Sequence, residues 1–365
     1  MNFFKYFNVR KLSALTLAAV IAGTSLINGC SVKRRDPLSP ENIPSIEEGS
    51  DIPVRNKEDA AREQARFEEL MNETFQDSLT SSLLTLHYTV SDPSAYGVTD
   101  YPHTFGDFSV ADSKENLIEL RALDSQLDSF NPSLLTENQV LTLDILREYV
   151  DTELCLDGIE LYMTPLSSIT GIQIDLPIVL SEYRFYNRKD IDEYLELVSN
   201  TDEFFDQILT FEEERAAAGL FCGDLAADHI IESCQPYMID AEYNLLHTSF
   251  ITRLEEFPDL TDEEKDAYIQ QNLDVVTNHF IPAYEQLTTG LSNLKGTGQY
   301  EGGLCHYPEG KDYFEYLVRS QTGTSYTSMK DLKNAIESKN INDIAAMAVI
   351  IRNRPELLDQ VSDYT

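Results

Sequence analysis

Apolar residues recur along most of this chain at three- and four-residue steps, and rarely at every second position, which is the period of helices rather than strands. Asn56 opens the first such pattern, with Phe67, Leu70, Met71, Phe75, Leu79 and Leu83 predicting one long helix to about Leu84. A loop with Pro93 and Gly97 breaks it. A second helix is expected over Ser113–Ser129. A third opens on the T-x-x-Q capping box of Thr136 and Gln139, with Leu143, Leu146, Val150 and Leu154 inward.

The densest patterning lies between Pro165 and Cys234. The apolar run Gly171 to Leu180, with Pro177 inside it, reads as extended chain or a buried loop. From Lys189 a helix places Ile191, Tyr194, Leu195 and Val198 on one face. Thr201 and Asp202 are the expected caps of the next, whose stripe is Phe204, Phe205, Ile208, Leu209 and Phe211. Gly219 suits the left-handed residue that ends it, and Asp224 the cap of a helix to Cys234.

Beyond this, Tyr243–Phe257 reads as a helix stopped by Pro258. Thr261 and Glu264 box the start of a long helix that Pro282 should kink before it ends near Leu287. Glycines 296, 298, 302 and 303 mark a turn. Ser328 and Asp331 cap one further helix, and Ile341–Ile351 forms the last. The fold class expected is all-α: one large domain of long antiparallel helices over residues 56–365.

The first 29 residues read as a targeting segment. Lys5, Arg10 and Lys11 precede an apolar stretch that ends in L-I-N-G-C at Cys30. Such a stretch is short for a membrane span and ordinary for a signal peptide. Gly29-Cys30 resembles a lipobox, so Cys30 is the expected lipid attachment site and the membrane the expected partner. The chain would then sit in the cell envelope, on the outer face of the cytoplasmic membrane or on an outer membrane if the cell has two. Residues 30–55, with Pro37, Pro40, Pro44 and Pro53, form the expected flexible spacer.

Charge narrows the picture further. The chain carries 27 basic and 63 acidic residues, a net −36, and the targeting segment contributes three of the basic ones and no acid. No basic footprint for nucleic acid is visible. Acidity of this kind is the ordinary mark of a solvated surface.

Candidate chemistry is sparse. Cys155, Cys222, Cys234 and Cys305 are scattered, never in C-x-x-C, and their pairing stays open between three disulfide arrangements and free thiols. Among six histidines, His229 and Glu232 share a helix face but lack a third ligand for a metal. His306, in the turn before Pro308, is the one candidate for contact with a ligand. No G-x-S-x-G elbow or phosphate loop is present.

Several segments carry a resemblance. G-I-Q-I-D-L-P from Gly171, R-K-D-I-D-E-Y-L-E-L from Arg188, A-A-A-G-L-F-C-G-D-L from Ala216, D-P-S-A-Y-G from Asp92 and the G-L-C-H-Y-P-E-G-K-D-Y-F run from Gly303 resemble the bacterial lipoproteins of domain-of-unknown-function family 885. The similarity runs from about Phe67 to Arg352. That family is largely helical and similar to zinc metallopeptidases, whose H-E-x-x-H helix lies in a C-terminal half. This sequence contains no H-E-x-x-H. The resemblance therefore implies a scaffold without catalytic or metal residues of its own. Zinc would belong only with that C-terminal part, and a peptide is the ligand the resemblance suggests. The alternative is a complete, surface-tethered module that binds a peptide or small ligand. A scaffold of this kind is also expected to bare an apolar face.

Overall fold

The computed structural model describes residues 54–300, 302–322 and 328–357. Cys30, the targeting segment and most of the spacer lie outside the described residues. The described chain is all-α, with no strand among these residues.

The first long pattern is two helices, α1 (Val54–Leu79) and α2 (Leu83–Thr89). The expected single helix breaks because Ser82 adopts extended backbone and its hydroxyl accepts the Thr85 N–H, capping α2. α3 (Val110–Asp128) starts three residues before its expected position, on Ser109 as cap. α4 (Glu137–Glu153) opens on the Thr136–Gln139 box. Phe67 of α1, Leu117, Leu120 and Leu127 of α3, and Leu143, Leu146 and Val150 of α4 make one small core.

The apolar run at 171–180 is neither extended nor a loop: it is helix α5 (Ile172–Ser181) with Pro177 inside. A proline there cannot donate to the carbonyl four residues back, that of Gln173. The buried Tyr284 hydroxyl donates to that carbonyl instead, at 2.7 Å. Side-chain chemistry from a distant helix thus makes the local exception tolerable.

α6 (Arg188–Ser199) is boxed by Asn187 and Asp190. α7 (Thr201–Ala217) follows after a one-residue break at Asn200, and neither Thr201 nor Asp202 is its cap. Thr201 is already helical, and its hydroxyl bonds back to Val198. α8 (Asp224–Cys234) is likewise preceded by Gly223; Asp224 is its first residue and accepts the Gly296 N–H at 2.7 Å. Gly219, at φ +73°, closes α7 as expected, and a side chain there would also strike Gln299.

α9 (Leu245–Glu255) is shorter at both ends than the sequence pattern. α10 (Asp262–Val275) starts on the Thr261–Glu264 box. It runs through a π-helical turn at Val276–Phe280 into α11 (Ile281–Leu294), with Pro282 in the first turn of α11. The wider turn accommodates the ring where a regular α-turn would meet it. α7 and α11 form the most extensive helix pairing. Gly290 permits it, since a Cβ there would run into the Leu209 methyls.

The main core gathers α5 to α11, with Tyr183, Tyr194, Phe250, Phe280 and Tyr284 fully buried. α12 (Gly310–Thr322) packs Tyr313 and Tyr316 against Leu156, Ile159 and Tyr162. α13 (Met329–Asn353) is one continuous helix capped by Ser328, where the sequence suggested two. None of its residues is buried.

Candidate functional site

Two of the segments singled out by sequence meet in space. The Asp92–Gly97 turn and the start of α6 line opposite sides of a groove of about 340 Å³, with α2 as its apolar wall. Asp92 caps the turn Pro93–Tyr96 and Gly97 closes it at φ +78°. The capping box of Asn187 fixes the first turn of α6, which puts Lys189, Glu193 and Glu196 on one face at spacings of four and three.

Glu193 is the centre of the polar wall. It is 4% exposed, and a carboxylate so buried needs partners. One oxygen, Oε1, takes the Tyr101 hydroxyl at 2.9 Å, Lys189 Nζ at 2.8 Å and His103 Nε2 at 3.3 Å. His103 Nδ1 reaches Glu196 at 2.7 Å, so the imidazole bridges two carboxylates. Lys189 also bonds the Tyr101 hydroxyl and lies 4.4 Å from the centre of that ring. Burial disfavours its charge, but the bonds to Glu193 and Tyr101 outweigh this and lift its pKa above the ordinary lysine value.

Asp190 accepts the Tyr186 and Asn187 N–H groups at 2.7 and 3.1 Å, while burial holds its pKa above the usual carboxylate value. On the α2 side, His87 stacks on Tyr183 with ring centres 3.7 Å apart. Burial depresses its pKa to about 4, so it is neutral at pH 7. The groove therefore offers an apolar wall, a neutral imidazole and a half-exposed lysine beside a neutralised carboxylate. That set can hold a ligand with an apolar group and an acceptor such as a carboxylate.

Sequence reasoning named both segments and missed their meeting. The Lys189–Glu193 spacing was legible; the pairing of Tyr101 and His103 with it was not, because it spans about ninety positions.

The other candidates lie elsewhere. His306 is exposed in the short turn Leu304–His306 and does not line the groove. Its segment is fixed by Glu309, whose carboxylate accepts the Tyr162 hydroxyl and whose N–H donates back to it at 3.0 Å. His229 and Glu232 sit exposed on α8. Among the described residues no three His, Cys, Asp or Glu side chains are grouped to hold a metal. The four described cysteines are free: Cys155 and Cys305 exposed, Cys222 half-buried, Cys234 buried.

A buried pair locks the Ala216–Leu225 segment. Arg215 holds both Glu212 oxygens, at 2.9 and 2.6 Å, and donates to the carbonyls of Leu220 and Leu161, each at 3.0 Å. Burial raises the Glu212 pKa and the guanidinium opposes it. The pair is a structural clamp, since every donor is aimed at the chain itself.

The fold and groove define an all-α body with a polar, ligand-sized cleft. The profile of a family of bacterial proteins of unknown function, DUF885, matches residues 93–352, and the chain belongs to that family. In fold it is similar to the crystal structure of a candidate lipoprotein from Colwellia psychrerythraea, with a TM-score of 0.58 at 16% identity. The match covers 81% of this chain and 50% of that one, so the chain spans about half the length of its structural neighbour. No curated protein matches the sequence.

Proposed function

We propose that the chain is the helical scaffold part of an envelope lipoprotein, tethered by lipid on Cys30 and without peptidase activity of its own. One observation carries this reading. A longer protein superposes on most of this chain and leaves half of itself without a counterpart here. The L-I-N-G-C sequence at Cys30 supports the tether. No described helix is long and apolar enough to cross a membrane.

Two measurements test it. Labelled palmitate should enter the wild-type chain and not Cys30→Ser, and the unlabelled variant should leave the membrane fraction. The mature chain should release no peptide from casein, with or without added zinc. Chelator-sensitive hydrolysis, or membrane attachment independent of Cys30, would overturn the reading.

The groove beside Glu193 favours a second reading, a tethered module that binds a short peptide through its carboxylate. Short peptides with a free C-terminus should then bind, and Lys189→Met should weaken them about tenfold or more, the loss of one charge-assisted bond. Equal binding of amidated peptides contradicts this reading.

A further inference from the structure

The groove beside α6 is lined by four charged side chains, Asp92, Lys189, Asp190 and Glu193, and they differ in what already holds them. Glu193 takes Lys189 at 2.8 Å and the Tyr101 hydroxyl at 2.9 Å. Asp190 commits both oxygens to the start of α6: Oδ2 accepts the Tyr186 and Asn187 N–H groups, and Oδ1 the Asn187 side-chain amide at 3.2 Å. Asp92 is the exception. Its Oδ1 accepts the Ser94 N–H at 3.1 Å and the Ser94 hydroxyl at 2.6 Å, but no cation pairs with it among the described residues. The Ser94 hydroxyl lowers its pKa, so this exposed carboxylate is charged at pH 7.

Lys189 is only partly engaged. An ammonium has three donors; two go to Glu193 and the Tyr101 hydroxyl, and the side chain is 59% exposed. One wall thus offers a donor with positive charge, and the other an unpaired negative charge. An anion alone would meet Asp92, and a cation alone would meet Lys189. A molecule carrying both charges is complementary to both walls. The remaining lining is apolar, with Leu86, Val90 and Val98 beside the neutral His87. The volume, about 340 Å³, lies at the small end of the roughly 300–1,000 Å³ usual for ligand sites, which suits a molecule of dipeptide size.

We infer that the groove selects a small zwitterion: a free dipeptide whose carboxylate pairs with Lys189, whose ammonium pairs with Asp92, and whose apolar side chain lies against Leu86 and Val98. This selectivity rests on the reading of the groove as a peptide-carboxylate site, and adds the second terminus to it.

The test is isothermal titration of the mature chain with Ala-Leu, N-acetyl-Ala-Leu and Ala-Leu amide. Ala-Leu should bind, and each blocked form should bind about tenfold or more weaker, the loss of one charge-assisted bond. Asp92→Asn keeps an oxygen for Ser94; it should weaken Ala-Leu to the level of the acetylated peptide and leave the acetylated peptide unchanged. Glu213→Gln removes one exposed acid of α7 and should change neither, which separates local pairing from the general attraction of an acidic protein. The comparison of free and acetylated peptide on the wild type needs no variant, so it holds whatever Asp92→Asn does to folding. Weaker binding on amidation with none on acetylation would overturn the zwitterion and leave the carboxylate reading standing. A loss on acetylation that Asp92→Asn does not reproduce would also overturn the inference. Equal binding of the amide, or no binding of Ala-Leu, would overturn both.

Discussion

α7 and α13 are both long helices rich in large apolar side chains, and they meet opposite fates. α7 buries Phe204, Phe205, Ile208 and Phe211 at 0–4% exposure. α13 leaves Ile341 and Ile344 at 66% and 65%. Burial of each such side chain is worth about 1.5–3 kcal/mol, which α7 realises and α13 does not. What keeps α13 helical is local: the Ser328 cap, at about 1 kcal/mol, and two i,i+4 ion pairs, at a few tenths each. Helical period therefore identifies a helix without saying whether this chain supplies its neighbours.

The contrast can be broken or sharpened by substitution. Phe250 is fully buried in the main core, and Phe250→Ala should cost about 3–5 kcal/mol in denaturant melts of the mature chain. A loss below about 1 kcal/mol would mean that the core around α5–α11 is loosely packed.

His87 gives a pH test of the same core. Its folded pKa is about 4, against an ordinary 6.5. The unfolded chain binds the proton first, so the His87 contribution is complete above pH 6.5 and is lost as pH falls towards 4. The ceiling is about 3 kcal/mol. His87→Phe keeps the stack on Tyr183 and should flatten the fall in stability between pH 6.5 and 4; an unchanged slope would remove His87 as its cause.

Tyr284→Phe takes the hydroxyl from the Gln173 carbonyl that Pro177 cannot serve. It should cost about 1–3 kcal/mol. Pro177→Ala in the same background should recover part of that, measured as a double-mutant cycle. Smallest of all, Ile344→Asp should change the stability of the isolated chain by no more than about 0.5 kcal/mol, because nothing in the described structure packs on it.

Much of the fold was legible because its signals are local. The Thr136 and Thr261 boxes, the Ser328 cap and the Gly219 stop each act within four residues, and each stands where the pattern put it. Some errors arose where a distant group takes part, others at local caps. In α5 the carbonyl that Pro177 leaves is served by Tyr284, more than a hundred residues away. The break between α1 and α2 turns on the extended backbone of Ser82, which the surrounding leucines hid. Cap assignments at Thr201 and Asp224 were one position late or more, since both residues already belong to their helices. The groove failed to show for the same reason as α5. Glu193 is defined by Tyr101 and His103, which no spacing rule connects to it. Exposed large apolar side chains are most frequent on α13, but they occur across the domain too, at Ile169, Leu225 and Tyr243.

The most direct measurement is thiol labelling at a single position, Ile344→Cys, read by peptide mass spectrometry so that Cys155 and Cys305 do not interfere. In the purified chain position 344 should react with maleimide as fast as an exposed model thiol. In intact envelopes it should be protected at least tenfold, with Cys155 labelling in both samples as the internal control. Equal labelling of position 344 in the two samples would contradict the scaffold reading, in which the exposed side chains of α13 meet further polypeptide in the envelope.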